Sequence, residues 1–145
     1  MCMSTSVDFT VPFVRGKGRV RFVRHTGRTY TPDATAEAME RIRAAYVKAA
    51  NGKSAPKGVP VYVEISTYRQ LPKSRPKKVE SEPDVFKPDA DNIAKLVLDA
   101  LNGVAWVDDT QIVRLLVNKD DRARDPDLPH EVTLVEIWWY ADGDV

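Results

Sequence analysis

Residues 87–109 spell out a helix, both of its ends and the way the chain leaves it. Ile93, Leu96, Val97, Ala100, Leu101 and Val104 recur at three- and four-residue spacing, so one stripe of a helix must be buried against something else. The helix is predicted to start near Asp91 and to stop at Asn102-Gly103, where glycine takes the left-handed position past the end. Asp91, Lys95 and Asp99 stand four residues apart and share the opposite, wet face. From Asp91 to Asn102 such a helix runs about 18 Å at 1.5 Å per residue. The segment from Gly103 to Asp109, if extended, covers roughly 20 Å at about 3.3 Å per residue. A turn at Gly103 is therefore expected to carry Asp109 back beside Asp89 and Asp91 at the helix N-terminus.

Three convergent carboxylates would present the hard oxygen ligands that Mg²⁺ selects, with waters and a substrate phosphate completing the shell. The free amides and positive dipole end of a helix N-terminus favour both carboxylates and phosphate. Lys95 would offset repulsion among the aspartates, or contact a scissile phosphate. Such a set fits metal-assisted phosphodiester hydrolysis. Plainer readings stand beside it. Asp ahead of a helix serves as an N-cap, Asp108-Asp109 as a solvated turn, and Lys95 as an ion-pair partner on the helix surface. A calcium EF-hand loop is excluded, because Ile93 and Ala94 fall where an oxygen ligand and a glycine are required. A phosphatase whose nucleophilic Asp follows a buried strand is disfavoured, since Val85-Phe86-Lys87-Pro88 makes a poor strand.

The length of 145 residues suits one domain, 1–145, with a core of its own and residues 1–6 read as a frayed leader. One cysteine and two histidines exclude a disulfide framework and a Cys/His zinc site. There is neither a signal-peptide pattern nor a long apolar run, which reads as a soluble cytoplasmic protein without membrane contact. Net charge is +1, but it is unevenly spread: residues 1–78 hold 16 Lys/Arg against 5 Asp/Glu, and residues 79–145 hold 6 against 16. A basic first half can grip phosphates while an acidic second half binds metal; alternatively the halves interleave in space and neutralise one another. Arg15, Lys17, Arg19, Arg21, Arg24 and Arg28 surround a Gly16/Gly18 turn and an alternating stretch, read as a β-hairpin with one basic face. Lys73, Arg75, Lys77 and Lys78 lie in a Pro- and Lys-rich loop that can track a nucleic-acid backbone.

Further strands are expected at Val7–Val14, with Pro12 marking an edge or bulge, at Val61–Thr67, at Gln111–Asn118 and at Val132–Tyr140. Thr31 and Pro32 would open a second helix, closing at Asn51-Gly52 with Met39, Ile42, Tyr46 and Ala49 buried. Trp138 and Trp139 must point to opposite sides of their strand. The expected class is α+β: a mixed or antiparallel sheet with two main helices packed on one face.

Residues 87–118 resemble the signature region of the RusA-type Holliday junction resolvases. The resemblance rests on Asp89-Ala90-Asp91-Asn92, Lys95, Leu98-Asp99-Ala100-Leu101-Asn102-Gly103 and Asp108-Asp109-Thr110-Gln111-Ile112, with the Gly18–Arg21 run and Tyr30-Thr31-Pro32 in support. Residues 69–86 and 119–131 carry no matching pattern. The resemblance implies a RusA-like fold and a homodimeric, Mg²⁺-dependent endonuclease, with Mn²⁺ able to substitute and no small-molecule cofactor. Such an enzyme makes paired nicks in four-way DNA junctions during recombination and repair, and the family is common on prophages. It assigns metal binding and catalysis to Asp89, Asp91 and Asp109, with Lys95 as an essential neighbour. Two competing functions are a DNA-binding module without cleavage and a metal-dependent nuclease of broad substrate range.

Overall fold

The computed structural model describes residues 4–18, 21–30, 33–127 and 130–140. In chain order the elements are β1 (Ser4–Val11), β2 (Arg21–Val23), β3 (Arg28–Tyr30), α1 (Asp33–Ala50), β4 (Val61–Arg69), β5 (Ser81–Glu82), α2 (Ala90–Leu101), a 3-10 turn (Asp109–Gln111), β6 (Ile112–Lys119), β7 (Arg122–Ala123) and β8 (Glu131–Tyr140). Four strands form a mixed sheet in the order β1-β8-β4-β6, antiparallel except for the parallel β4–β6 pair. Alternation sends Val7, Phe9 and Val11, then Val61, Val63 and Ile65, then Val135, Ile137 and Trp139 into one core. The apolar stripes of α1 and α2 meet that same face, so the chain is α+β with both helices on one side.

Expected and observed elements differ at instructive places. β1 begins at Ser4, paired with Tyr140, so residues 4–6 belong to the sheet rather than to a frayed leader; residues 1–3 lie outside the described residues. It ends at Val11, just before Pro12, and is an edge strand as the proline requires. The buried row of α1 is Thr35, Ala38, Ile42, Tyr46 and Ala50, while Ala49 is exposed; the helix turns its face by one residue at its end. The expected cap of α1 at Thr31-Pro32 lies outside the described residues, whereas Asn51 and Gly52 close the helix where expected, both at positive φ. Trp139 is buried and Trp138 half-buried, stacked on Tyr62 on the helix-free face of the sheet.

The basic hairpin exists, but its turn does not lie at Gly16/Gly18. β2 and β3 pair across Arg24–Gly27, with Gly27 at positive φ. Residues 13–18 instead run as a connection over the start of α2, where the amide of Lys17 donates to the carbonyl of Asn92. Gly16 is needed for that close approach: a Cβ there would sit 2.9 Å from the Cβ atoms of both Pro88 and Asn92.

Candidate metal and nucleic-acid site

Asp89 occupies the N-cap position of α2, with extended backbone, yet its side chain makes no capping hydrogen bond. Its backbone carbonyl closes the first turn by accepting from Ile93. The carboxylate is thus left for other use, which counts against the simple N-cap reading. Asp91, one turn below Lys95, is exposed, and the Lys95 Nζ stands 3.6 Å from Asp91 Oδ2. An exposed pair of this kind adds little stability.

Asp89 opens onto a cavity of about 610 Å³ lined also by Arg15, Lys17, Thr35, Arg69, Lys87 and Asn92. Four cations line this hollow beside a helix N-terminus, and the first amides of α2 add positive character to it. Two of the four are partly committed elsewhere. Lys17 pairs with Asp99, the aspartate four residues after Lys95, so Asp99 ties the 13–18 connection to α2. Arg69 forms a two-pronged pair with Asp84, Nε to Oδ2 at 3.0 Å and Nη2 to Oδ1 at 2.6 Å.

Asp84 is the residue that sequence reasoning passed over. Its side chain is 1% exposed, and it also accepts from the amide of Phe86 at 3.3 Å. Burial by itself would raise its pKa, but the Arg69 hydrogen bonds and charge outweigh burial and hold the carboxyl below its ordinary value. The pair fastens the 84–88 segment to the end of β4, and so fixes the entry to Asp89. No local pattern marks Asp84, because its partner lies fifteen residues back in sequence on a strand end.

Asp108 and Asp109 sit at the other end of the molecule. Residues 102–108 turn tightly instead of extending, with Gly103 at positive φ and Asn102 bridged to Trp106. Buried Trp106 donates through Nε1 to Asp109 Oδ1 at 2.7 Å. Gln111 is buried and accepts from the amides of Val107 and Asp108 while donating to the carbonyls of Pro56 and Val59. Asp108 in turn accepts from Thr110 Oγ1 at 2.7 Å. These bonds place Asp109 ahead of the first residue of β4, whereas Asp89 shares a cavity with Arg69, its last residue. The separation is the length of that strand, roughly 25 Å at 3.3 Å per residue. The expected return of Asp109 to Asp89 and Asp91 within one chain is therefore corrected: Trp106 and Gln111 anchor it at the C-terminal end of α2. Among the described residues no three His, Cys, Asp or Glu side chains gather closely enough to hold a metal ion.

The remaining predicted cations are dispersed. Arg15 lies over the Phe13 ring at 4.8 Å and lines the cavity. Arg24 is exposed in the hairpin turn; Arg19 and the side chain of Arg21 lie outside the described residues. Lys73, Lys77 and Lys78 are exposed in the 72–78 loop, where Arg75 pairs with Glu82 at 3.0 Å.

As a donor set, Asp89 and Asp91 suit a hard divalent ion in part: both carboxylates are exposed and uncapped, and Mg²⁺ is often held by one or two carboxylates plus substrate phosphate. No helix among the described residues is long and apolar enough to cross a membrane. The family model described as "Endodeoxyribonuclease RusA" matches residues 12–133. A Bacillus subtilis (strain 168) protein called "Uncharacterized protein YqaN" is 41% identical over 68 residues, covering 41% of this chain. The match spans about half of that relative's length, 48%.

Proposed function

Because the chain belongs to the RusA endodeoxyribonuclease family, we propose that it is a Mg²⁺-dependent homodimer that nicks four-way DNA junctions in recombination and repair. The observation that carries this reading is the uncapped Asp89 beside Asp91 and Lys95, set against a cation-lined hollow at a helix N-terminus. Asp89, Asp91 and Asp109 are the residues that would hold the ion, whose bound form supplies charge stabilisation at the phosphoryl group and activates water. Arg15, Lys17 and Lys87 hold the DNA backbone, and the first amides of α2 receive a phosphate oxygen. Lys95 adds positive charge where negative charge grows on the phosphoryl oxygens in the transition state.

The third carboxylate comes from the other chain. β6 is one of the two edge strands of the sheet, and Val113, Leu115 and Leu116 on it are exposed, as is Val107 just before it. An apolar open edge of eight residues invites pairing. Two copies related by a two-fold axis across the strands pair antiparallel. The start of β6 then lies beside the end of the partner's β6, and Lys119 at that end already reaches the carbonyl of Phe86, three residues before Asp89. Each site would so draw Asp89 and Asp91 from one chain and the partner's Asp109 from the other.

The test is nicking of a labelled four-way junction in Mg²⁺, first with wild type against Asp91→Asn. Binding without metal-dependent nicking by the wild type would leave only a DNA-binding module; equal cleavage of junction, flap and linear duplex would leave a nuclease of broad range. Co-expression of Asp91→Asn and Asp109→Asn chains then decides the shared site. Restoration to about a quarter of wild-type nicking is expected, one intact site in half of randomly paired dimers. No restoration rejects the exchange of Asp109.

A further inference from the structure

Val85 and Phe86 stand out in the segment that leads to Asp89: they are 80% and 49% exposed, although both are large and apolar. An exposed apolar pair alone needs no explanation, but here Phe86 is held by three contacts. The amide of Phe86 donates to buried Asp84, and its carbonyl accepts from Lys119. Its ring lies under the guanidinium of Arg122, 4.0 Å from the ring centroid. Arg122 is itself buried and paired with Glu82. Three separate elements, the ends of β4 and β6 and the strand β7, are thus used to fix one exposed aromatic ring three residues before the first catalytic aspartate. A side chain fixed in this way loses little entropy when something stacks upon it.

The size and surroundings of the patch decide what would stack. A protein partner typically covers about 800 Å² on each side, far more than two adjacent side chains offer. One nucleic-acid base presents a flat face of the right extent, and Lys87 and Lys119 supply the positive charge expected where a phosphate backbone passes. We propose that Phe86, with Val85 beside it, is a wedge on which one base at the branch point of the junction stacks after leaving its own helix. The proposal rests on the junction-nuclease reading above and adds to it the residue that distinguishes branched DNA from linear duplex. Only a branch point offers a base whose unstacking costs little, so the contact is made with the junction and lost with duplex. No bond is made or broken in the step.

The experiment uses the full-length protein without divalent metal and a junction carrying 2-aminopurine at the branch point, compared with a linear duplex carrying it mid-helix. With wild type, fluorescence of the branch-point base is expected to rise on binding, while the duplex signal stays unchanged. Phe86→Leu, which keeps apolar bulk but removes the π face, should abolish the rise and weaken junction binding about tenfold, leaving duplex affinity unchanged. Phe86→Trp should retain the junction affinity. Equal junction binding by wild type and Phe86→Leu overturns the wedge while leaving the nuclease reading intact. Loss of the dimer in Phe86→Leu, read by light scattering, overturns it in favour of a contact between chains. A wild type that does not prefer the junction over duplex rejects the functional reading itself, and the wedge with it.

Discussion

The two ends of α2 carry acidic residues from one continuous motif, yet they are built in opposite ways. At the N-terminal end Asp89 makes no capping bond, Asp91 is exposed, and the chain before them is pinned by the buried Asp84–Arg69 pair. At the C-terminal end the polar groups largely satisfy one another: Gln111 serves four backbone partners, Thr110 bonds Asp108, and Trp106 bonds Asp109. One end holds uncapped carboxylates beside a pinned segment; the other is a folded corner in which Asp108 is exposed and Asp109 half-buried, just ahead of the β6 edge. The contrast teaches that a support can be distant in sequence from the groups it positions. It also shows that an acidic pair can divide its bonds, Asp108 to Thr110 and Asp109 to Trp106.

The largest test of this contrast is Lys95→Ala. Nicking should slow on the order of a hundredfold, the usual loss when one transition-state stabiliser is removed, while the melting temperature stays near wild type because the Asp91–Lys95 pair is exposed. Full activity in single-turnover assays would return Lys95 to the role of a surface ion-pair partner.

Next comes the support. Asp84→Asn leaves Arg69 without its buried counter-charge and is expected to cost about 3 kcal/mol in thermal or urea unfolding. The same pair sets an acid limit. The folded pKa of Asp84 lies below its unfolded value, so its contribution is fully present above about pH 4 and is lost as pH falls through the lowered folded value. Stability profiles of wild type and Asp84→Asn should therefore converge in strong acid, and parallel profiles would remove Asp84 from the account.

Gly16→Ala probes the seam between the basic connection and α2. The added methyl meets Cβ atoms of Pro88 and Asn92 at 2.9 Å, positions too close to the backbone to swing away. A loss of about 1–2 kcal/mol is expected, together with weaker junction binding as Lys17 moves. The smallest effect should come from Asp108→Ala, about 1 kcal/mol of stability for the lost corner bonds, with nicking preserved. A loss of nicking comparable to that of Asp109→Asn would mean that the corner is chemical after all.

Charge shows how far a linear reading extends. The basic first half and acidic second half do meet at the site, with Arg15 and Lys17 from one and Asp89 from the other around a single cavity. Part of the segregation, however, is consumed inside the fold: Lys17–Asp99, Arg69–Asp84 and Arg75–Glu82 all join the two halves. The count of free cations is thus smaller than composition implies, and no count along the chain could have found which were spoken for.

By itself the sequence determined α2 and its ends, the alternating strands, the side of the sheet that the helices cover, and the presence of Asp89, Asp91 and Lys95 at one helix start. These follow from periodicity and chain punctuation, which are local. Only the tertiary structure decided where Asp109 lies, that Asp89 leaves its cap unmade, that Asp84 and Arg122 brace the approach, and that β6 ends the sheet with an apolar edge. Those facts depend on contacts between residues far apart in the chain. A segment long enough to return along a helix still turns aside when a buried Trp106 and a fully bonded Gln111 hold it at a corner.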